Sequence, residues 1–203
     1  MAGSWRSIPR LALMWALLAV PAFAQETAPD ALVKRISEDV IATIRQDRDI
    51  QAGSAAKIRH LVEAKILPHF DSRRATQIAL GANWRRATPE QQDQLVREFR
   101  TLLVRTYSGA LASYRDQQIE FLPLRGAQAN DAEATVRSRI RQPGAEPVAI
   151  EYDLAKGAAG WKVFDIRVGG ISLVATYRTS FTEEVRNRGI EGLISTLANR
   201  NRT

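Results

Sequence analysis

No cysteine occurs among the 203 residues, which excludes disulfide stabilisation, thiol catalysis and cysteine metal sites together. The two methionines, Met1 and Met14, both lie near the amino terminus, so the core must come from Leu, Ile, Val, Ala and aromatics. Histidine is scarce too. His60 and His69 do not share a helix face at metal-ligand spacing and have no partner signature, and each reads as a surface or helix-end side chain. A Gly-x-Ser-x-Gly elbow and a phosphate-cradling glycine loop are also missing. Nowhere does an uninterrupted apolar run reach the ~20 residues needed to cross a bilayer. There are no repeats, no low-complexity tracts and no linker long enough to separate a pair of domains.

What is present begins with Arg6 and Arg10, an apolar run from Leu11 to Val20, and Ala22-Phe23-Ala24. This reads as a secretory signal peptide cleaved after Ala24; the competing reading, a membrane anchor, needs a longer span. Removing 24 of the 203 residues leaves 179, expected as a single domain over 25–203. A chain of that size can bury about 70% of its unfolded surface. The net charge of +7 loses two with Arg6 and Arg10 and becomes +5. A basic excess can mean nucleic acid or an anionic membrane. Export argues against nucleic acid, and the scattered Arg and Lys fit a solvated surface or a face for a membrane or partner protein.

From Pro29-Asp30 the residues Leu32, Val33, Ile36, Val40, Ile41 and Ile44 repeat at helical spacing. A second apolar face, Ile58, Leu61, Val62 and Ile66, closes at Pro68. Asp71 caps a short helix ending at Gly81. Thr88-Pro89-Glu90-Gln91 is a capping box that opens a long helix to about Asp116, with Leu95, Phe99, Leu102, Leu103, Thr106, Ala110 and Tyr114 as its buried stripe. Beyond Gln117 the period changes to 2. Ala132 to Ile140, Val148 to Leu154 and Trp161 to Val168 read as strands, and after Gly169-Gly170 the helical pattern returns, ending with Ile190, Leu193, Ile194 and Leu197. Helices first and a curved antiparallel sheet afterwards predict an α+β fold with helices packed on one sheet face. Such a cone is either filled with side chains or hollow, and the pattern leaves both open.

Strand alternation puts Asp165 on the face of Trp161 and Val163, where a carboxylate would have a raised pKa suited to a general base. The alternative is an ion pair with Arg137, Arg139 or Arg167. The aromatics carry the same ambiguity, core or pocket lining.

Two ordered stretches tilt the balance. One runs Ile66-Leu67-Pro68-His69-Phe70-Asp71, Ala79-Leu80-Gly81, Trp84-Arg85, Thr88-Pro89-Glu90-Gln91, Phe99, Leu102-Leu103 and Thr106-Tyr107. The other runs Tyr152-Asp153-Leu154, Gly160-Trp161-Lys162-Val163-Phe164-Asp165-Ile166, Gly170-Ile171-Ser172-Leu173-Val174 and Tyr177-Arg178 to Phe181. Their order and spacing resemble the MlaC family, from about Asp30 to Arg200, with a departure at His69, where the family pattern often has an acidic residue.

The resemblance implies a nuclear transport factor 2-like cone with extra helices and an apolar pocket, in a non-enzymatic periplasmic carrier that moves phospholipid between outer-membrane and inner-membrane complexes and so maintains outer-membrane lipid asymmetry. It implies no cofactor beyond a diacyl phospholipid cargo. The implied partners are an inner-membrane ABC transporter complex with an MlaD-like subunit and an outer-membrane MlaA-like lipoprotein complex. Inward periodicity then assigns the pocket wall to Phe70, Leu80, Leu95, Phe99, Leu103 and Tyr107 from the helical half. From the sheet half it adds Val136, Ile150, Tyr152, Val163, Ile171, Val174 and Tyr177. The alternatives are a small isomerase or hydrolase using Asp165, with Tyr107 or Tyr152 as proton donor, and a structural adaptor with a filled core. Gly81 to Ala87 and Gly169-Gly170 are the segments expected to move during cargo exchange.

Overall fold

Pro29 at the first helical position, with Asp30 beside the positive helix end, starts α1 (Pro29–Gln46). The computed structural model describes residues 27–124 and 131–202, so the leader expected at 1–24 lies outside the described residues. Two short helices follow, α2 (Arg48–Gln51) and α3 (Ala55–Leu61). The expected straight second helix to Pro68 does not continue: the chain widens into a π turn, Val62–Ile66, then tightens into a 3-10 turn, Leu67–His69. Asp71 caps α4 (Ser72–Leu80) by accepting the Arg74 N–H at 2.9 Å.

Thr88 and Gln91 form the capping box of α5 (Pro89–Ala112). This helix stops one turn before Asp116, because the Arg115 guanidinium donates to the carbonyls of Ala112 and Tyr114 at 2.6 and 2.7 Å and so satisfies its end. Thr106 and Ala110, expected in the buried stripe, are exposed.

The five strands β1 (Gln118–Phe121), β2 (Glu133–Arg141), β3 (Val148–Gly157), β4 (Gly160–Val168) and β5 (Ile171–Ser172) pair antiparallel in chain order. β1 and the two-residue β5 are strands that periodicity alone does not delimit. Asp153 pairs with Asp165 but Leu154 pairs with Val163, so Phe164 is the extra residue of a β-bulge. The last helix, α6 (Arg178–Arg202), bends at Gly189, whose φ of 71 and ψ of −177 only glycine adopts readily.

The fold is α+β, with helices laid on a curved antiparallel sheet. Its core consists of three clusters. Leu95, Phe99 and Leu102 of α5 pack with Ala75 and Leu80 of α4 and with Phe181, Val185 and Leu193 of α6. Leu32 and Val33 of α1 pack on Val136, Leu154, Trp161 and Val163 of the sheet. Val40 and Ile44 pack on Ile50, Ile58 and Leu61. No described helix is long and apolar enough to cross a membrane.

Candidate functional site

The three core clusters do not merge. Where they approach one another, between α5, the irregular turn and the inner end of β4, lies a cavity of about 200 Å³. Val62 and Ile66 of the π turn and Leu67, the first residue of the 3-10 turn, form one wall. Leu103, Val104, Tyr107 and Leu111 of α5 form the second. Phe70, Phe99, Ile166, Leu173 and Val174 close the remaining sides. Phe70 belongs to the helical and the sheet clusters at once, held in place by its β-bridge to Val163 and by the Asp71 N–H donating to the Val163 carbonyl at 2.7 Å. The polar groups on the lining are Ser72, Arg100, Ser108 and the Tyr107 hydroxyl.

Of the residues assigned to a pocket wall by inward periodicity, the fold brings Phe70, Phe99, Leu103, Tyr107 and Val174 together at this cavity. Leu80 and Leu95 are buried away from it, in the helical core. Val136, Ile150, Tyr152 and Val163 are on the sheet: Val136, Tyr152 and Val163 pack in the cluster under α1, and Ile150 is buried on β3. Tyr177 packs edge to face on Phe99 with ring centroids 5.2 Å apart. Ile171, expected inward, is 66% exposed, because β5 is too short to carry the alternation past the Gly169-Gly170 turn.

Sequence reading missed Val62, Ile66, Leu67, Val104, Leu111, Ile166 and Leu173 as cavity residues. The signal was there for α5: Leu103, Val104, Tyr107 and Leu111 make a second apolar stripe beside the Leu95-Phe99-Leu102 stripe, and a helix apolar on two faces has two things to cover. Burial and a hydrogen bond with Tyr177 push the Tyr107 phenol up to about 12, so it stays neutral at any physiological pH.

Asp165 departs from expectation. The bulge at Phe164 breaks the alternation, and Asp165 is paired with Asp153 on the face that carries Glu151 and Arg167, away from that of Trp161 and Val163. Its carboxylate accepts the Ser172 hydroxyl at 2.5 Å and the N–H groups of Ile166 and Val174 at 2.8 and 3.3 Å. Burial nevertheless raises its pKa. Arg167, expected as an ion-pair partner, instead bridges Glu151 and Asp153. The segment from Gly81 to Arg86 gives no lining residue to the cavity; there the Arg178 guanidinium holds the end of α4 by donating to the Ile78 carbonyl at 2.9 and 3.1 Å. His69 is half-buried, and desolvation with the nearby charges of Arg35 and Lys162 lowers its pKa, whereas His60 is exposed.

The profile of the family described as MlaC protein matches residues 34–199. The chain is 23% identical over 172 residues to the intermembrane phospholipid transport system binding protein MlaC of Haemophilus influenzae, covering 84% of this chain and 80% of that one. It is 29% identical over 106 residues to the toluene tolerance protein ttg2D of Pseudomonas putida, covering 52% of this chain and 48% of that protein. Among solved structures, the phospholipid-binding protein of Ralstonia solanacearum, solved in complex with a phospholipid, superposes with a TM-score of 0.78 at 44% identity, covering 85% of this chain and 96% of the other.

Proposed function

Because the chain belongs to the MlaC family, we propose that it is a phospholipid carrier whose acyl chains enter the cavity between α5, the irregular turn and β4. The observation that carries this reading is the apolar cavity at the junction of three core clusters, in a fold shared with a relative solved with phospholipid bound. Exposing a methylene to water costs about 0.8 kcal/mol, so two chains of about 16 carbons would cost on the order of 25 kcal/mol in the open. A diffusing carrier must cover nearly all of that surface.

The cavity walls must separate to do so. A cavity of about 150 Å³ accepts a benzene ring, so 200 Å³ suits a short length of one chain, and two full chains require the turn at 62–67 and the segment at 171–174 to move away from α5. Both are irregular elements, a π/3-10 turn and a two-residue strand, and the second moves only if the Ser172 and Val174 hydrogen bonds to Asp165 give way. An acceptor can promote release only by binding the open arrangement better than the closed one.

In this reading residues 1–24 direct export and are removed, residues 25–203 work as one domain in the periplasm, and no chemical step occurs. Cargo passes between an inner-membrane ABC transporter complex with an MlaD-like subunit and an outer-membrane MlaA-like lipoprotein complex, which maintains outer-membrane lipid asymmetry. Native mass spectrometry of the protein purified from the periplasm without detergent tests it. The expected result is one diacyl phospholipid per chain; protein that is lipid-free under these conditions contradicts the carrier.

A further inference from the structure

Beside the apolar cavity, and sharing Leu67, Arg100 and Val104 with it, runs a second hollow of about 720 Å³ with a polar lining. Three guanidinium groups border it: Arg59 from α3, and Arg100 and Arg105 from α5. Arg105 donates to the Asn201 carbonyl. Arg59 and Arg100 have no ion-pair or hydrogen-bond partner among the described residues, even though Glu63 lines the same hollow. Within the sheet, by contrast, Arg137, Arg141 and Arg167 all pair with carboxylates across strands. The side-chain amide of Asn201, also on the lining, donates to Glu98 at 2.7 and 2.9 Å, while its side-chain Oδ1 is buried without a donor among the described residues. Two free guanidinium groups therefore border the polar hollow, and Arg100 stands where it meets the apolar one.

We infer that the polar hollow receives the phosphate of a phospholipid head group, Arg59 and Arg100 donating to its oxygens while the acyl chains pass Leu67 and Val104 into the cavity. This rests on the carrier reading above. Guanidinium donors match the planar spread of phosphate oxygens, and such charge-assisted bonds are about twice as strong as neutral ones. Since every phospholipid has the phosphate, the site selects the class over uncharged diacylglycerol without choosing strongly among head groups.

The test is a competition between phosphatidylglycerol and diacylglycerol with identical chains, read by native mass spectrometry. It is run on the wild-type protein, on the double variant Arg59→Gln/Arg100→Gln, and on a charge-matched control, Arg139→Gln/Arg186→Gln, whose side chains are exposed elsewhere. The expected result is a preference for phosphatidylglycerol of about tenfold or more in wild type and control, lost in the double variant, which still loads diacylglycerol. No preference in the wild type, or an undiminished preference in the double variant, overturns the head-group site while leaving the cavity reading intact. A wild-type protein that takes up neither lipid overturns both. Inorganic phosphate titrated alone separates the other source: if it binds the wild type while phosphatidylglycerol has no advantage, the hollow is a site for the free anion.

Discussion

The carboxylate of Asp165 accepts the Ser172 hydroxyl at 2.5 Å, and Ser172 in turn accepts the Ala175 N–H at 2.8 Å. With the Val174 N–H also directed at Asp165, this arrangement pins the segment that carries Leu173 and Val174 to the cavity. Asp165 is thus a structural acceptor that positions a wall. Asp165→Ala leaves buried donors unanswered and should cost about 2 kcal/mol, with faster lipid exchange. Asp165→Asn keeps an acceptor and a neutral group of the same shape, and should stay within about 1 kcal/mol of wild type. Urea unfolding at neutral pH checks both; equal losses in the two variants would contradict the assignment.

The pH dependence has a definite sign. Burial raises the Asp165 pKa above its ordinary value of 3.8, so the folded state holds this proton more tightly than the unfolded chain. The resulting stability is fully present below 3.8 and is lost as pH rises through the raised value. Asp165→Asn has no such proton, so its stability relative to wild type should improve as pH rises from 3.8 towards neutral. Denaturant midpoints of both proteins across that range measure the difference, and parallel curves would refute it.

Gly189 tests the bend in α6. At φ 71 and ψ −177 an L side chain is strained, although a Cβ there meets nothing within 4 Å. Gly189→Ala should therefore destabilise by about 1–3 kcal/mol through the backbone alone. A change of a few tenths in chemical denaturation would mean that the bend is not required.

Phe99 and Leu103 lie one helical turn apart on α5 but differ in what surrounds them. Phe99 is fully buried against Tyr177 and Phe181, so Phe99→Ala should cost about 3–5 kcal/mol. Leu103 faces the cavity and is half-buried. Leu103→Trp should fill the space, leave the denaturation midpoint nearly unchanged and sharply reduce co-purifying lipid. Unchanged lipid content in that variant would separate the cavity from cargo.

Local signals in the sequence are strong enough to show the α5 capping box, the Asp71 cap and the three long strands, because each depends on neighbours in the chain. The features that shape the cavity are not local. The π turn at Val62–Ile66 interrupts the run from α3 with no punctuating residue of its own, and the bulge at Phe164 lies in the pairing of β3 with β4. That one extra residue moves Asp165 to the other sheet face. The cavity residues legible from periodicity, such as Phe99 and Leu103, belong to a regular helix, whereas Leu67 and Leu173 belong to irregular segments on which no period acts.

The most direct test uses a phospholipid with a photoreactive group at the end of one acyl chain, loaded into the wild-type protein, irradiated, and mapped by peptide mass spectrometry. Crosslinks should fall on Leu103, Tyr107, Leu111 and Ile166, which line the cavity. Crosslinks confined to exposed apolar positions such as Val148 and Ile171 would contradict an acyl chain housed within the fold.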